Sequence, residues 1–283
     1  MAKKKSIVRQ AVERLLSMAA WGHSKHADKR IHNGHGARDK IYAGKTMDIY
    51  IDVAARFVRW AKAEHGCRTV DEARPYVAAY LQFQIGQHKS AWTVRTVASG
   101  LAKLYGCGMG DFGVKLPERY RENVTQHRGN RWVGHYNAYK HRVLELFCRS
   151  CGLRRHEVAK LRLEDVYQDD EGRVIVHVVQ GKGGKERYVV ALDDTPLRIA
   201  EAAAGKEHIF DKIPKYAPIH EWRAAYAKTL YAGLARSVDD IPPKERYICR
   251  AERAGVTYDK KAMAVVSQML GHARLDVVTN YLD

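Results

Sequence analysis

Apolar residues recur at helical spacing through most of the chain and give way, in one short region, to β-rich runs. Within residues 1–20, Ile7, Val8, Val12, Leu15 and Leu16 predict a basic helix. A polar stretch rich in His and Gly follows, GHSKHADKRIHNGHGARDK. Thr46 is placed to cap a helix that runs through Trp60 to about Glu64, with Tyr50, Ala54, Phe57 and Val58 on its apolar side. Another helix runs from about Val70 to Ile85, and a third opens near Ser90 in KSAWTVRTVASGLAKLYG and ends at Gly106. Residues 107–134 are glycine-rich, then charged, and poorly periodic, which places a domain boundary there. The expected organisation is a basic N-terminal segment (1–40), a helical domain (41–115), a linker (116–134) and a second domain (135–283).

That second domain is mixed. Tyr136 to about Cys151 reads as helix, and a further helix follows Gly152. RVIVHVV and RYVVAL are β-rich and are joined by QGKGGKE, the pattern of a hairpin. From about Leu197 the chain is helical again. Asp259 and Gly271 bracket a helix over DKKAMAVVSQMLGH. Asp276 is placed to cap a last short helix, packed down by Val277, Val278 and Leu282, which would fix where Tyr281 points. The fold class expected is mainly α with a small β-sheet.

Charge narrows the function. The chain of 283 residues carries 49 Lys and Arg against 32 Asp and Glu, a formal charge of +17, with 14 His besides. Such a field repels itself and destabilises the compact state, and a polyanion that releases its counterions on binding is the usual reason for it. No apolar run approaches the roughly 20 residues that span a bilayer. Glu13 and Arg14 interrupt what would be the apolar region of a signal peptide. Five cysteines, an odd number, point to a reducing compartment. The expected location is the cytoplasm, with no membrane partner.

Four stretches hold candidate chemistry, and each alone also has a plain reading as solvated surface. In CGLRRHEVAKL, Arg154 stands at the first turn of a helix, where free backbone N–H groups favour an anion. Lys182 and Lys185 lie in the glycine-rich hairpin turn, which lacks the spacing and trailing hydroxyl of a P-loop. In HEWR, His220 and Arg223 are three apart and share a helix face. The closing stretch MLGHARLDVVTNYLD carries His272 and Tyr281.

Read in order, Arg154, Lys182, His220-x-x-Arg223, Leu270-Gly271-His272 and Tyr281 resemble the tyrosine recombinase (phage integrase) family. The stretches that carry the likeness are GLRRHEVAKLRLEDV, QGKGGKERYVVAL, HEWR and LGHARLDVVTNYL; KSAWTVRTVASGLAKLYG is similar to the family's helical core-binding domain. The likeness covers residues 40–283 and is strongest from Cys151 onward.

The resemblance implies a helical core-binding domain followed by a catalytic domain that needs no cofactor or metal. It implies attack of the Tyr281 hydroxyl on a DNA phosphodiester, giving a 3′-phosphotyrosyl link and a free 5′-hydroxyl. Arg154, Arg223 and His272 would hold the phosphate oxygens. His220 would move or hold the phenol proton, and Lys182 would protonate the leaving oxygen, with Lys185 as the alternative in the same turn. Glu157 would orient the arginines. Lys185, Arg155, Arg187, Thr93 and Arg95 are the expected DNA contacts. The implied partners are double-stranded DNA and further copies of the chain, a dimer on each core site and a tetramer in synapsis.

The chain departs from the family's pattern within its second domain. Ala224 stands where a histidine often follows the second arginine, and the segment between Arg223 and His272 is longer than usual, including SVDDIPPKERYICRAERAGVTYDK. A non-catalytic DNA-binding regulator and a strand-relaxing topoisomerase are the rival readings. CRSC at 148–151 has metal-ligand spacing but no second CxxC pair, so two thiols at a helix end is the simpler account. His23, His26, His32 and His35 read as part of a basic loop beside DNA. Whichever reading holds, DNA affinity should fall steeply between about 50 and about 200 mM salt, because several Lys and Arg displace counterions. A titration showing affinity indifferent to salt would remove the nucleic-acid argument altogether.

Overall fold

The computed structural model describes residues 5–282 except residues 24, 32–36, 121–136, 182–183 and 251–252. Lys182, Tyr136, Asp283 and most of the 116–134 linker therefore lie outside the described residues. Contacts divide the chain into two compact units, Met1–Val124 and Thr125–Asp283. Among the described residues no helix is long and apolar enough to cross a membrane.

The first unit is helical. It comprises α1 (Ile7–Leu16), α2 (Lys25–Ile31), α3 (Gly44–His65), α4 (Val70–Ala73), α5 (Val77–Gly86) and α6 (Ala91–Leu104). In α1, Ile7, Ala11 and Leu15 recur every four residues and are buried against the core that includes Phe57, Leu81 and Leu101. That apolar stripe makes residues 7–16 part of this unit's core, where the sequence had set residues 1–40 apart. The helix expected to be capped by Thr46 starts at Gly44, after an extended Ala43 that offers no side-chain cap. The helix expected over 70–85 is interrupted by a tight turn at Arg74–Tyr76, where Pro75 supplies no N–H to the ladder. Ser90 does cap α6, its Oγ accepting from the Thr93 N–H at 3.2 Å.

The second unit wraps helices around a small sheet. Its elements are α7 (Arg142–Cys151), α8 (Arg155–Val158), β1 (Val166–Gln168), β2 (Val174–Val178), β3 (Arg187–Val190), α9 (Thr195–Glu201), α10 (Ile219–Leu234), β4 (Arg246–Ile248), β5 (Thr257–Asp259), α11 (Lys260–Met269) and α12 (Thr279–Leu282). β1, β2 and β3 form an antiparallel meander in which Val166, Val176 and Val189 align across the strands and enter the core. The expected hairpin is β2–β3; β1, and the separate β4–β5 ribbon over 246–259, were not visible in the sequence pattern. Asp259 caps α11 by accepting from Lys261 N–H at 2.9 Å. The last helix is not capped by Asp276, which falls inside a 3₁₀ turn at Leu275–Val277; the Asp276 carbonyl instead accepts from the Thr279 hydroxyl at 2.8 Å.

Gly152 is the joint between the core helix α7 and the site. Its φ of +61° belongs to the left-handed region, and an added Cβ would stand 2.3 Å from the Tyr226 ring. Tyr226 is itself buried and donates its hydroxyl to the Val190 carbonyl at 2.8 Å, so it has nowhere to retreat. Gly152→Ala should therefore destabilise this unit by at least about 2 kcal/mol, from left-handed strain and overpacking together. Denaturant unfolding would show this as a lowered midpoint for the second unit, and an unchanged midpoint would refute the packing account.

Candidate active site

The C-terminal end of α11 is where the candidate residues meet. The last carbonyls of a helix have no intrahelical partner and carry partial negative charge. Here they are taken by arginines from three other elements. Arg187, at the start of β3, donates Nε to the Met269 carbonyl at 2.9 Å. Arg154, just before α8, donates Nη2 to the Leu270 carbonyl at 3.0 Å. Arg223, from α10, donates Nη2 to that same Leu270 carbonyl and Nη1 to the Gly152 carbonyl.

Glu157 is the counter-ion. Its side chain is fully buried, and both its oxygens are engaged. Arg187 grips them from Nη1 and Nη2 at 2.9 and 2.7 Å, while Arg154 adds its own N–H at 2.7 Å and Nη1 at 2.8 Å. Burial opposes the charge on this carboxyl, but the hydrogen bonds and positive field of Arg187, with the bonds from Arg154, outweigh it and hold the group at about 2.

Arg223 has no accessible surface. Burial, then the neighbouring Arg154 charge, push its guanidinium down to about 10, while Tyr281 acts in the opposite sense through its field and a hydrogen bond. Its carbon lies 5.5 Å from the centre of the Tyr281 ring, and its Nε has no hydrogen-bond partner among the described residues. Tyr281 is 4 % exposed and packs its ring against the His272 imidazole, with centroids 5.4 Å apart. His272 follows the α11 terminus and is held by its backbone, the N–H donating to the Ser267 carbonyl at 2.9 Å and the carbonyl accepting from the Ser267 hydroxyl at 3.1 Å. Its Nε2 comes within 3.4 Å of Arg223 Nη2.

Arg154, Arg187 and His272 also line a cleft of about 340 Å³, together with Lys185, Glu186, Tyr188, Gln268 and Gly271. Lys185 is exposed on its wall, and its carbonyl closes the hairpin turn by accepting from Gly181 N–H at 2.9 Å. The approach is so close that a Cβ on Gly181 would lie 2.5 Å from that carbonyl oxygen. The structure thus brings Arg154, Glu157, Arg223, His272 and Tyr281 together and sets Lys185 at the mouth. His220 stands one turn before Arg223, at the exposed start of α10.

Two of the expected DNA contacts make bonds within the protein. Arg187 spends its guanidinium on Glu157 and Met269, and Arg155 donates to the Pro214 and Ala217 carbonyls at 2.6 and 2.7 Å. Both groups hold the protein together. The unpartnered carbonyls at the end of α11 were a signal that arginines would be drawn inward. Arg95 and Thr93 lie in the first unit: Arg95 Nε donates to the Pro117 carbonyl at 3.1 Å, and Thr93 is exposed with its hydroxyl 2.9 Å from that of Ser90. Cys148 and Cys151 are both buried in the core, and burial pushes their thiols up.

Comparison with solved structures bears on the fold. The XerH site-specific recombinase in a post-cleavage complex with palindromic difH substrate matches over 98 % of this chain and 90 % of its own, at 14 % identity and a TM-score of 0.53. This chain has the tyrosine recombinase fold. XerH in a pre-cleavage complex with difH matches over 98 % and 92 %, at 13 % identity and a TM-score of 0.50. No family model matches the chain, and no curated relative does.

Glu157→Gln should destabilise the second unit by about 3 kcal/mol, since it removes the charge that two buried arginines share. The pH dependence has a definite sign. A carboxyl held at about 2, below its ordinary 4.5, contributes stability that is fully present above about pH 5 and lost as pH falls toward 2. Comparing acid unfolding of the parent and Glu157→Gln tests this; equal slopes between pH 5 and 2 would contradict it.

Proposed function

We propose that this protein is a site-specific DNA recombinase that cuts and rejoins duplex DNA through a covalent link to Tyr281. The observation that carries the reading is the meeting of Tyr281 with Arg223 and His272, next to a cleft that Arg154, Lys185, Arg187 and His272 line, on a tyrosine recombinase fold. Phosphoryl transfer places growing negative charge on the non-bridging oxygens, and fixed cations that need no rearrangement lower that barrier most. Arg154 and Arg223 are fixed at their far ends by carbonyls and, for Arg154, by Glu157. Arg223 keeps one donor, Nε, without a partner among the described residues.

In this reading the phenol oxygen of Tyr281 attacks phosphorus, its proton passing to His220 or to water. The bond to the 5′-oxygen breaks, and Lys182 delivers a proton to that oxygen, with Lys185 on the cleft wall as the alternative donor. The 3′-phosphotyrosyl link then conserves the bond energy until a 5′-hydroxyl returns along the same path. No metal or cofactor is required for either step. The partner is double-stranded DNA at core sites, bound by two copies and brought together by four, in the cytoplasm of a host that carries the mobile element encoding this chain.

The test uses nicked duplexes taken from the ends of that element, incubated with the full chain in EDTA and resolved on denaturing gels. The parent should form a covalent protein–DNA adduct, and Tyr281→Phe should form none while binding the same DNA with unchanged affinity. Arg154→Ala should slow adduct formation about a hundredfold or more. Tight binding with no adduct from the parent would overturn the enzyme reading and favour a regulator.

A further inference from the structure

The β4–β5 ribbon reaches the helix that carries Tyr281. Arg253, in the turn beyond β4, donates Nη1 to the Thr279 carbonyl of α12 at 2.7 Å, a partly buried bond between residues 26 apart. The ribbon that presents it is well anchored. At its base Arg236 donates to both oxygens of Asp259 at 2.7 and 2.8 Å, and its Nη1 lies 2.7 Å from Glu245. Asp259 is almost wholly buried, so this anchor is joined directly to the cap of α11. Across the ribbon Tyr247 pairs with Tyr258, and both pack on the core that contains Tyr281. Tyr258 also meets the Tyr231 ring of α10 edge-on at 5.7 Å. The turn is closed by Val256 N–H donating to the Arg253 carbonyl at 3.1 Å.

α12 needs such support. It has four residues, too few to hold a helix by its own hydrogen bonds, and its carbonyls have no intrahelical donors. Val278 and Tyr281 bury against the core, but apolar burial is non-directional and does not by itself set the pitch of a short helix. A charged, planar donor on a braced ribbon does.

We propose that Arg253 is a positioning residue for Tyr281: the β4–β5 ribbon straps α12 in cis, so that the phenol faces Arg223 of the same chain. The inference rests on the reading of Tyr281 as nucleophile. The strap acts through the backbone of Thr279 and touches neither substrate nor the reacting atoms.

Three readings on the full chain decide it: DNA affinity, the single-turnover rate of adduct formation on a nicked duplex, and amide hydrogen exchange across residues 275–282. Arg253→Ala should slow adduct formation about tenfold, because small misplacement of a reacting group is costly, while DNA affinity stays at the parent value. Exchange in 275–282 should quicken while that of α7 does not change. Arg253→Lys, which restores one charged donor, should recover most of the rate. An adduct rate and tail exchange equal to the parent's would overturn the proposal. So would a faster rate, which would make the ribbon a restraint on the tyrosine. If Arg253→Ala fails to unfold cooperatively, the same readings on Arg253→Gln decide the matter. Should the parent form no adduct, the recombinase reading falls, and the exchange measurement alone still determines whether Arg253 holds the tail.

Discussion

Three guanidinium groups crowd the end of one helix, and everything else at the site depends on how their repulsion is managed. Arg154, Arg187 and Arg223 are drawn to the carbonyls of Met269 and Leu270, where α11 leaves its acceptors unsatisfied. The negative end of that helix and the single carboxylate of Glu157 offset part of the charge, not all of it. The remainder is what a phosphate would meet. The lowering of Arg223 to about 10 reports the same tension from the inside, since burial and Arg154 both work against its charge.

Such a cluster cannot be assembled locally. Arg154 and the carbonyl it grips are 116 residues apart, and Arg223 reaches back 71 residues to Gly152. Two of the contributing elements are also short: α8 has four residues and β3 has four. They are held because their apolar sides share one core, in which Val189, Trp222, Tyr226, Val266 and Leu270 are all buried. The site is thus a property of the packed unit, and the left-handed Gly152 matters because it feeds both α8 and the carbonyl that fixes Arg223.

How much of this was legible follows from how local each signal is. Ser90 and Asp259 act as caps because capping depends on a residue and its next three neighbours. The β2–β3 hairpin announced itself by two β-rich runs about a glycine turn. β1, β4 and β5 have three residues each, below the length at which any periodicity can be read. Pro75 was a local signal and should have divided the helix at 70–85. The internal partners of Arg187 and Arg155 were not legible, because a basic residue beside a hairpin or at a helix start looks solvated; they lie 30 and 82 residues away in one case and 59 and 62 in the other. The order Arg154, Arg223, His272, Tyr281 was readable as a resemblance, whereas the dependence of that set on Leu270, a hydrophobic residue acting through its carbonyl, was not.

The burial of Tyr281 bears on how a duplex would be received. A phenol that is 4 % exposed is not presented to solvent, yet its helix already sets it beside Arg223 and His272, the groups expected to hold a phosphate. Tyr281 favours the Arg223 charge through its field and a hydrogen bond, against the burial and the Arg154 charge that oppose it. A phosphate oxygen entering from the cleft offers Arg223 a charged acceptor, and a charge-assisted bond is the stronger of the two. In the proposed reaction, exchange of one acceptor for the other would free the Tyr281 hydroxyl for attack.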